Sequence, residues 1–133
     1  MSPGTFSAVA AVTLAALLQF VLFGALVMKA RVRLGVTAPA TQGPPEFDRL
    51  MRIHLNTMER LVVFLPMLWM AAAVVRSDVA CAFGLLFIVS RFVYWRGYVR
   101  DPASRMRGNM LTMLSIAGLL VSVRWGLGRQ ALG

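Results

Sequence analysis

Apolar and polar positions along the chain fall into four long apolar stretches separated by short polar connections. The first, Phe6 to Met28, carries no charge and would extend roughly 35 Å as a helix, enough to cross a hydrocarbon layer. It is too long for a signal-peptide core and has no basic residue before it, so a retained span is expected. Lys29, Arg31 and Arg33 then precede Gly35, which predicts a helix closed by cations in its last turn and a glycine stop. The segment VTAPATQGPPEF reads as a proline-rich loop, with Pro44 and Pro45 starting a second helix and Glu46 and Asp48 well placed in its first turn. That helix is expected from about Glu46 to Val75, roughly 45 Å, longer than a bilayer core, with Pro66 as the position to kink it. Arg76, Ser77 and Asp78 form a very short turn, with Asp78 as N-cap of a third helix over Val79–Tyr98. Asp101 and Pro102 read as N-cap and first position of a fourth helix ending near Trp125.

The second stretch departs from a plain span. FDRLMRIHLNTMERLVVFLPMLWM, Phe47 to Met70, begins charged and turns apolar without a break. With Arg52 set at zero and about 100° per residue, Asn56 falls at about 40°, Glu59 at about −20° and Arg49 at about 60°, while His54 points away at about 200°. A charge at the centre of a span costs roughly 3 kcal/mol, so this face is expected to meet protein, water or a ligand and to act as a polar binding wall. On the third helix Arg91, Tyr94 and Tyr98 share a face in the same way. Tyr94, Trp95 and Tyr98 alone would read equally well as an interfacial aromatic belt. Arg91, one turn deeper, fits a belt less well.

Composition sets the class. Hydrophobic residues make up 59% of the 133, above the roughly 45–50% of soluble domains, and four spans leave no room for a second domain. The expected fold is an all-α membrane protein, one four-helix transmembrane bundle over residues 1–133. The net charge of +9 rests on 14 basic residues, of which only Lys29 is not arginine. Arginine suits carboxylates and lipid headgroups alike, and the cations are spread over span ends, so nucleic acid is not an expected partner. Cys81, alone in an apolar run, reads as an inert packing residue. No Cys and His pattern suggests a metal.

Lys29, Arg31, Arg33, Arg49, Arg52, Arg96, Arg100, Arg105 and Arg107 flank the 1–2 and 3–4 connections, against Arg76, Arg124 and Arg129 on the other side. The bias predicts an integral protein of an inner or cytoplasmic membrane with both termini outside and the polar faces together at the cytoplasmic end. Arg105 and Arg107 fall early in the fourth helix, where a cation opposes the helix dipole, so another interaction is expected to hold them there.

GPPEFDRLMRIHLNTMER and RFVYWRGYVRDPASRMRG resemble the two signatures of the membrane-associated proteins in eicosanoid and glutathione metabolism, the MAPEG family, in its microsomal glutathione transferase and leukotriene-forming branch. Length, four spans and the proline-rich first loop fit as well. The resemblance implies a homotrimer with glutathione bound as co-substrate between neighbouring subunits near the cytoplasmic face. It implies glutathione contacts at Arg31, Arg52, Asn56, Glu59, Tyr94 and Tyr98, and Arg105 as the catalytic arginine at the sulfur, with Arg107 as its rival. Two positions depart from the pattern: Arg60 stands where glutathione-using members often have tyrosine, and Val32 where the leukotriene-forming enzyme has a second arginine.

Independently of the resemblance, glutathione's two carboxylates and one ammonium call for bidentate arginines, an acid and neutral hydrogen-bonding groups, the set found at Arg52, Glu59, Asn56, Tyr94 and Tyr98. The leading expectation is a membrane enzyme that conjugates glutathione to a lipophilic electrophile or acts as a peroxidase on lipid hydroperoxides. The alternative is a non-catalytic lipid-binding or scaffold protein of the same fold. A small exporter would need an acid deep in a span, and Glu59 lies near the interface. An Arg52–Glu59 ion pair that only holds subunits together is the structural competitor to a ligand site.

Overall fold

The computed structural model describes all residues from Met1 to Gly133 and contains α1 (Pro3–Leu34), α2 (Pro45–Val74), α3 (Ser77–Arg100), a 3-10 turn (Pro102–Ser104) and α4 (Arg105–Leu132). The first three helices and the segment Pro102–Leu132 are each long and apolar enough to cross a membrane, so the chain is built as a multi-pass integral membrane protein. α2, α3 and α4 pack on one another, and α1 lies against α2 and α3 without touching α4. Only 28 of 133 residues are buried, while Leu14, Leu18, Val21, Met110 and Val121 lie exposed. Such a surface suits lipid or other protein, since apolar side chains lose nothing there.

Helix ends follow the sequence signals closely at the first loop. Ser2 Oγ accepts from Thr5 N–H to cap α1, and Gly35 at φ 68° closes it by donating to the Arg31 carbonyl. The left-handed conformation at Gly35 is one that a side chain would resist. Pro45 opens α2, Asp48 accepts from Gly43 N–H, and Arg33 pairs with Glu46 across the loop. α2 runs on through Pro66.

Three boundaries differ from expectation. The cap residue of α3 is Arg76, not Asp78; Asp78 sits in the first turn, where it accepts from Val79 N–H and takes the Arg76 guanidinium. Asp101 and Pro102 start the 3-10 turn and not α4, because Ser104 donates to the Gly97 and Asp101 carbonyls and holds the connection tight against α3. This places Arg105 at the very first residue of α4. α4 also continues past Trp125 to Leu132, since its late glycines each cost only about 1 kcal/mol of helix propensity and no proline stops it.

The core has two parts. Toward the α2–α3 turn, Val9, Val12, Ala16, Phe64, Leu68, Phe87, Leu119 and Val123 form one apolar cluster in which Phe64 and Phe87 stack at 3.9 Å. Toward the two loops, buried Thr57, Ser90, Arg91 and Thr112 lie beside two smaller apolar clusters, Val27, Ala30, Val36 and Phe47 in one and Phe23, Ile53 and Tyr94 in the other.

Candidate functional site

At the loop end α2, α3 and α4 enclose a half-open cleft of about 480 Å3 lined by Arg52, Asn56 and Arg60 from α2, Tyr94 and Tyr98 from α3, and Arg105, Met106 and Asn109 from α4. The spacing explains the wall on α2: Arg52, Asn56 and Arg60 repeat every four residues and rise one above another. Tyr94 and Tyr98 do the same on α3. α4 reaches them because Gly108 packs on the α3 backbone, where a Cβ would come within 2.3 Å of the Tyr94 N and Cα atoms.

Two cations bracket the pair of phenol rings of the cleft. The Arg91 guanidinium lies 4.2 Å from the Tyr94 ring centre, Tyr94 and Tyr98 are 5.7 Å apart, and the Arg105 guanidinium lies 5.4 Å from the Tyr98 ring. Each cation–ring contact is favourable by about 0.5–2 kcal/mol and supplies the interaction that holds Arg105 against its own helix dipole. Arg107 is exposed and lies outside the cleft. No acid lines it, and both ion pairs of the chain lie elsewhere, so Arg52 and Arg105 have no carboxylate partner within the chain.

Of the residues expected at a site, Arg52, Asn56, Tyr94, Tyr98 and Arg105 come together. Glu59 does not: it is exposed on α2, outside the cleft, and makes no ion pair with Arg52. Arg31 also lies apart, donating to the Val36 and Ala40 carbonyls and covering the Phe47 ring at 4.9 Å, so within one chain it holds the first loop. The polar face drawn from Arg49 to Glu59 is therefore divided. Arg49 donates to the Val99 carbonyl and belongs to a separate small cleft with Leu26, Leu50 and Trp95. Helices cross, so one angular position meets α3 at the height of Arg49 and α4 at the height of Arg60, which donates to Asn109 at 3.4 Å. His54 does point away and stacks on Phe20 of α1.

Arg60, Met106 and Asn109 are lining residues that the helical-wheel argument left out. Asn109 stands one turn beyond Arg105, and that spacing was the available signal. The larger omission is the floor. Arg91 is wholly buried, and its Nε and Nη2 donate to Thr57, its Nη2 also to Asn56 at 3.0 Å, and its Nη1 to Thr112. Of its acceptors, only Thr112 on α4 stands in an otherwise apolar run, while Asn56 and Thr57 lie in the charged part of α2, where nothing in the sequence sets them apart as its partners.

An arrangement of free guanidiniums, an amide and two phenols, open on one side and set at the end of a membrane bundle, can bind a small multivalent anion and stabilise negative charge on it. The family model for MAPEG matches residues 8–125. Mouse microsomal glutathione S-transferase 2 is 35% identical over 122 residues, covering 88% of this chain and 83% of that one. Rat leukotriene C4 synthase is 36% identical over 131 residues, covering 92% and 87%. Human microsomal glutathione S-transferase 2 is 34% identical over 116 residues, covering 84% and 79%. With its four spans, its paired polar signatures and a match along nearly its whole length, the chain belongs to the MAPEG family.

Proposed function

We propose that the protein is a membrane enzyme that binds glutathione in the α2–α3–α4 cleft and uses its sulfur on a lipophilic electrophile or lipid hydroperoxide. The observation that carries this reading is the convergence of Arg52, Asn56, Tyr94, Tyr98 and Arg105 on one cleft without any acid among them. Arg52 suits a carboxylate of glutathione, held by charge-assisted bonds of about 1.5–3 kcal/mol. Glu59 and Arg31, which one chain leaves outside the cleft, belong in this reading to the site's open side: a homotrimer brings them from a neighbouring copy, with Glu59 facing the ammonium. In this reading the cleft lies at the cytoplasmic side with both termini outside, which the excess of cations at that end supports.

Arg105 is the catalytic residue of this scheme. A thiol with a pKa of about 8.5 is only a few per cent ionised at pH 7, and a guanidinium beside it lowers that value by about two units, close to 3 kcal/mol in favour of the thiolate. The first turn of α4 adds its dipole in the same sense. The thiolate then attacks the electrophile and the leaving group departs with the electron pair, a halide as the free anion and an oxygen leaving group with a proton from Tyr94 or Tyr98 that water afterwards restores. The same cleft serves a peroxidase cycle in which the thiolate attacks the terminal oxygen of the hydroperoxide, the O–O bond breaks and the alkoxide leaves as the alcohol after taking a proton, and a second glutathione then attacks the resulting sulfenic acid to give the disulfide and water.

Glutathione titrated into the detergent-solubilised protein, with the thiolate absorbance followed near 240 nm (roughly, as for a charge-stabilised thiolate), tests this. Arg105→Ala is expected to keep binding but lose the absorbance and most turnover of an aryl halide. Signals that vanish in Arg107→Ala and persist in Arg105→Ala move the role two residues along. A wild-type protein that binds glutathione without any thiolate supports the lipid-binding alternative.

A further inference from the structure

Arg91 is absent from the set that a glutathione site requires, yet no other cation in the fold is so fully withdrawn from solvent. Burying a guanidinium without a counter-ion is strongly unfavourable, and the chain offers it none. Its acceptors are instead two hydroxyls and one amide oxygen. Both hydroxyls have other acceptors for their protons, Thr57 the Ile53 carbonyl at 2.7 Å and Thr112 the Gly108 carbonyl at 2.9 Å or the Ser90 hydroxyl at 2.8 Å, so only their lone pairs face the guanidinium. The pocket is thus built for a cation and leaves its charge unneutralised.

The consequence falls on Asn56. An arginine has only donors, whereas a carboxamide has one oxygen that accepts and one NH2 that donates. With Arg91 Nη2 at 3.0 Å, the oxygen must be the end that faces the floor. Asn56 also lines the cleft, so the end left for a ligand there is the NH2. We infer that Arg91 is a positioning residue that locks the Asn56 amide as a donor to a carboxylate in the cleft, and that the floor charge adds to that preference for an anion. Calling the anion glutathione rests on the functional reading above; the lock itself does not. The Tyr94 ring over the guanidinium is held by the same group, which ties the amide and one phenol of the cleft to a single buried cation.

Asn56→Asp and Asn56→Ala, each in the intact membrane protein, separate this role from a purely structural one. Aspartate keeps the shape and the acceptor toward Arg91 but replaces the NH2 with a charged oxygen. Asn56→Asp is therefore expected to unfold at or above the wild-type temperature while its glutathione affinity falls by about tenfold or more. Asn56→Ala is expected to lose both stability and affinity, since it leaves Arg91 Nη2 unpaired. A structural role alone would make the two readouts move together in both variants. Wild-type glutathione affinity in Asn56→Asp, or an Asn56→Asp protein no more stable than Asn56→Ala, would overturn the lock. A wild-type protein that binds no glutathione overturns the functional reading and the carboxylate contact, and the stability comparison then still decides whether Arg91 fixes the amide.

Discussion

Phe87 and Arg91 lie one turn apart on the same face of α3, both fully buried against α2 and α4. Phe87 stacks on Phe64 with the rings nearly parallel, and around them Leu68, Val12 and Leu119 fill the space with side chains that carry no directional demand. Arg91 meets Thr57, Asn56 and Thr112, each of which must present an oxygen at a fixed place. The two regions show that burial in this bundle is obtained by two means. One tolerates exchange of apolar shapes; the other fixes the identity and direction of each partner, and its unneutralised cation lies beneath the open cleft. A lipid-facing protein can close its apolar half with little precision. The half that has to bind an anion cannot be closed so loosely.

The largest expected break in this comparison comes from two glycines. A methyl group at Gly108 would stand 2.3 Å from the backbone of Tyr94, and α4 could accept it only by withdrawing from α3. Gly108→Ala should cost about 3 kcal/mol, the upper end for overpacking, and abolish ligand binding with it. At Gly84 the nearest atoms are the ends of the Val12 and Leu68 side chains, at 2.6 and 3.1 Å, which can turn aside. Gly84→Ala should cost about 1 kcal/mol or less, because roughly 1 kcal/mol of helix propensity is regained. Thermal unfolding of both variants in one detergent measures the difference; equal losses would mean that the two halves are equally rigid.

The same contrast explains what could be read from the sequence. Four spans, the glycine stop at Gly35 and the proline start at Pro45 are local signals, and each is where local chemistry puts it. The angular positions of Arg52, Asn56, Arg91, Tyr94 and Tyr98 were legible too, because one helix fixes them. Which neighbour faces an angular position was not, and so Arg49 and Glu59, close to Arg52 on the wheel, fall outside the cleft. Arg60 and Asn109 were missed for the complementary reason, since their meeting depends on where α2 crosses α4. Charge alone did not reveal that Arg91 is the floor and not a wall. Its acceptors are neutral, and a search for carboxylate partners passes over them. Arg31 shows the reverse case, a cation that one chain already satisfies with loop carbonyls.

Smaller and sharper is a pair of hydroxyls on α4. Thr112 accepts from Arg91 at 3.3 Å, and Ser115, nearly one turn on, donates to the Phe83 carbonyl of α3 at 2.6 Å. Both bonds join the same two helices at similar burial. Thr112→Val keeps the shape but leaves a guanidinium N–H without an acceptor, which should cost about 1–3 kcal/mol and lower glutathione affinity as Arg91 shifts. Ser115→Ala removes a donor from a carbonyl that α3 still satisfies within its own helix, so the loss should be near 0.6 kcal/mol, the usual worth of such bonds between spans, with affinity unchanged. Unfolding temperatures and glutathione titrations of the two variants side by side decide it. A Ser115→Ala loss as large as that of Thr112→Val would show that the apolar half also depends on directed bonds, and the distinction between the halves would then rest on charge alone.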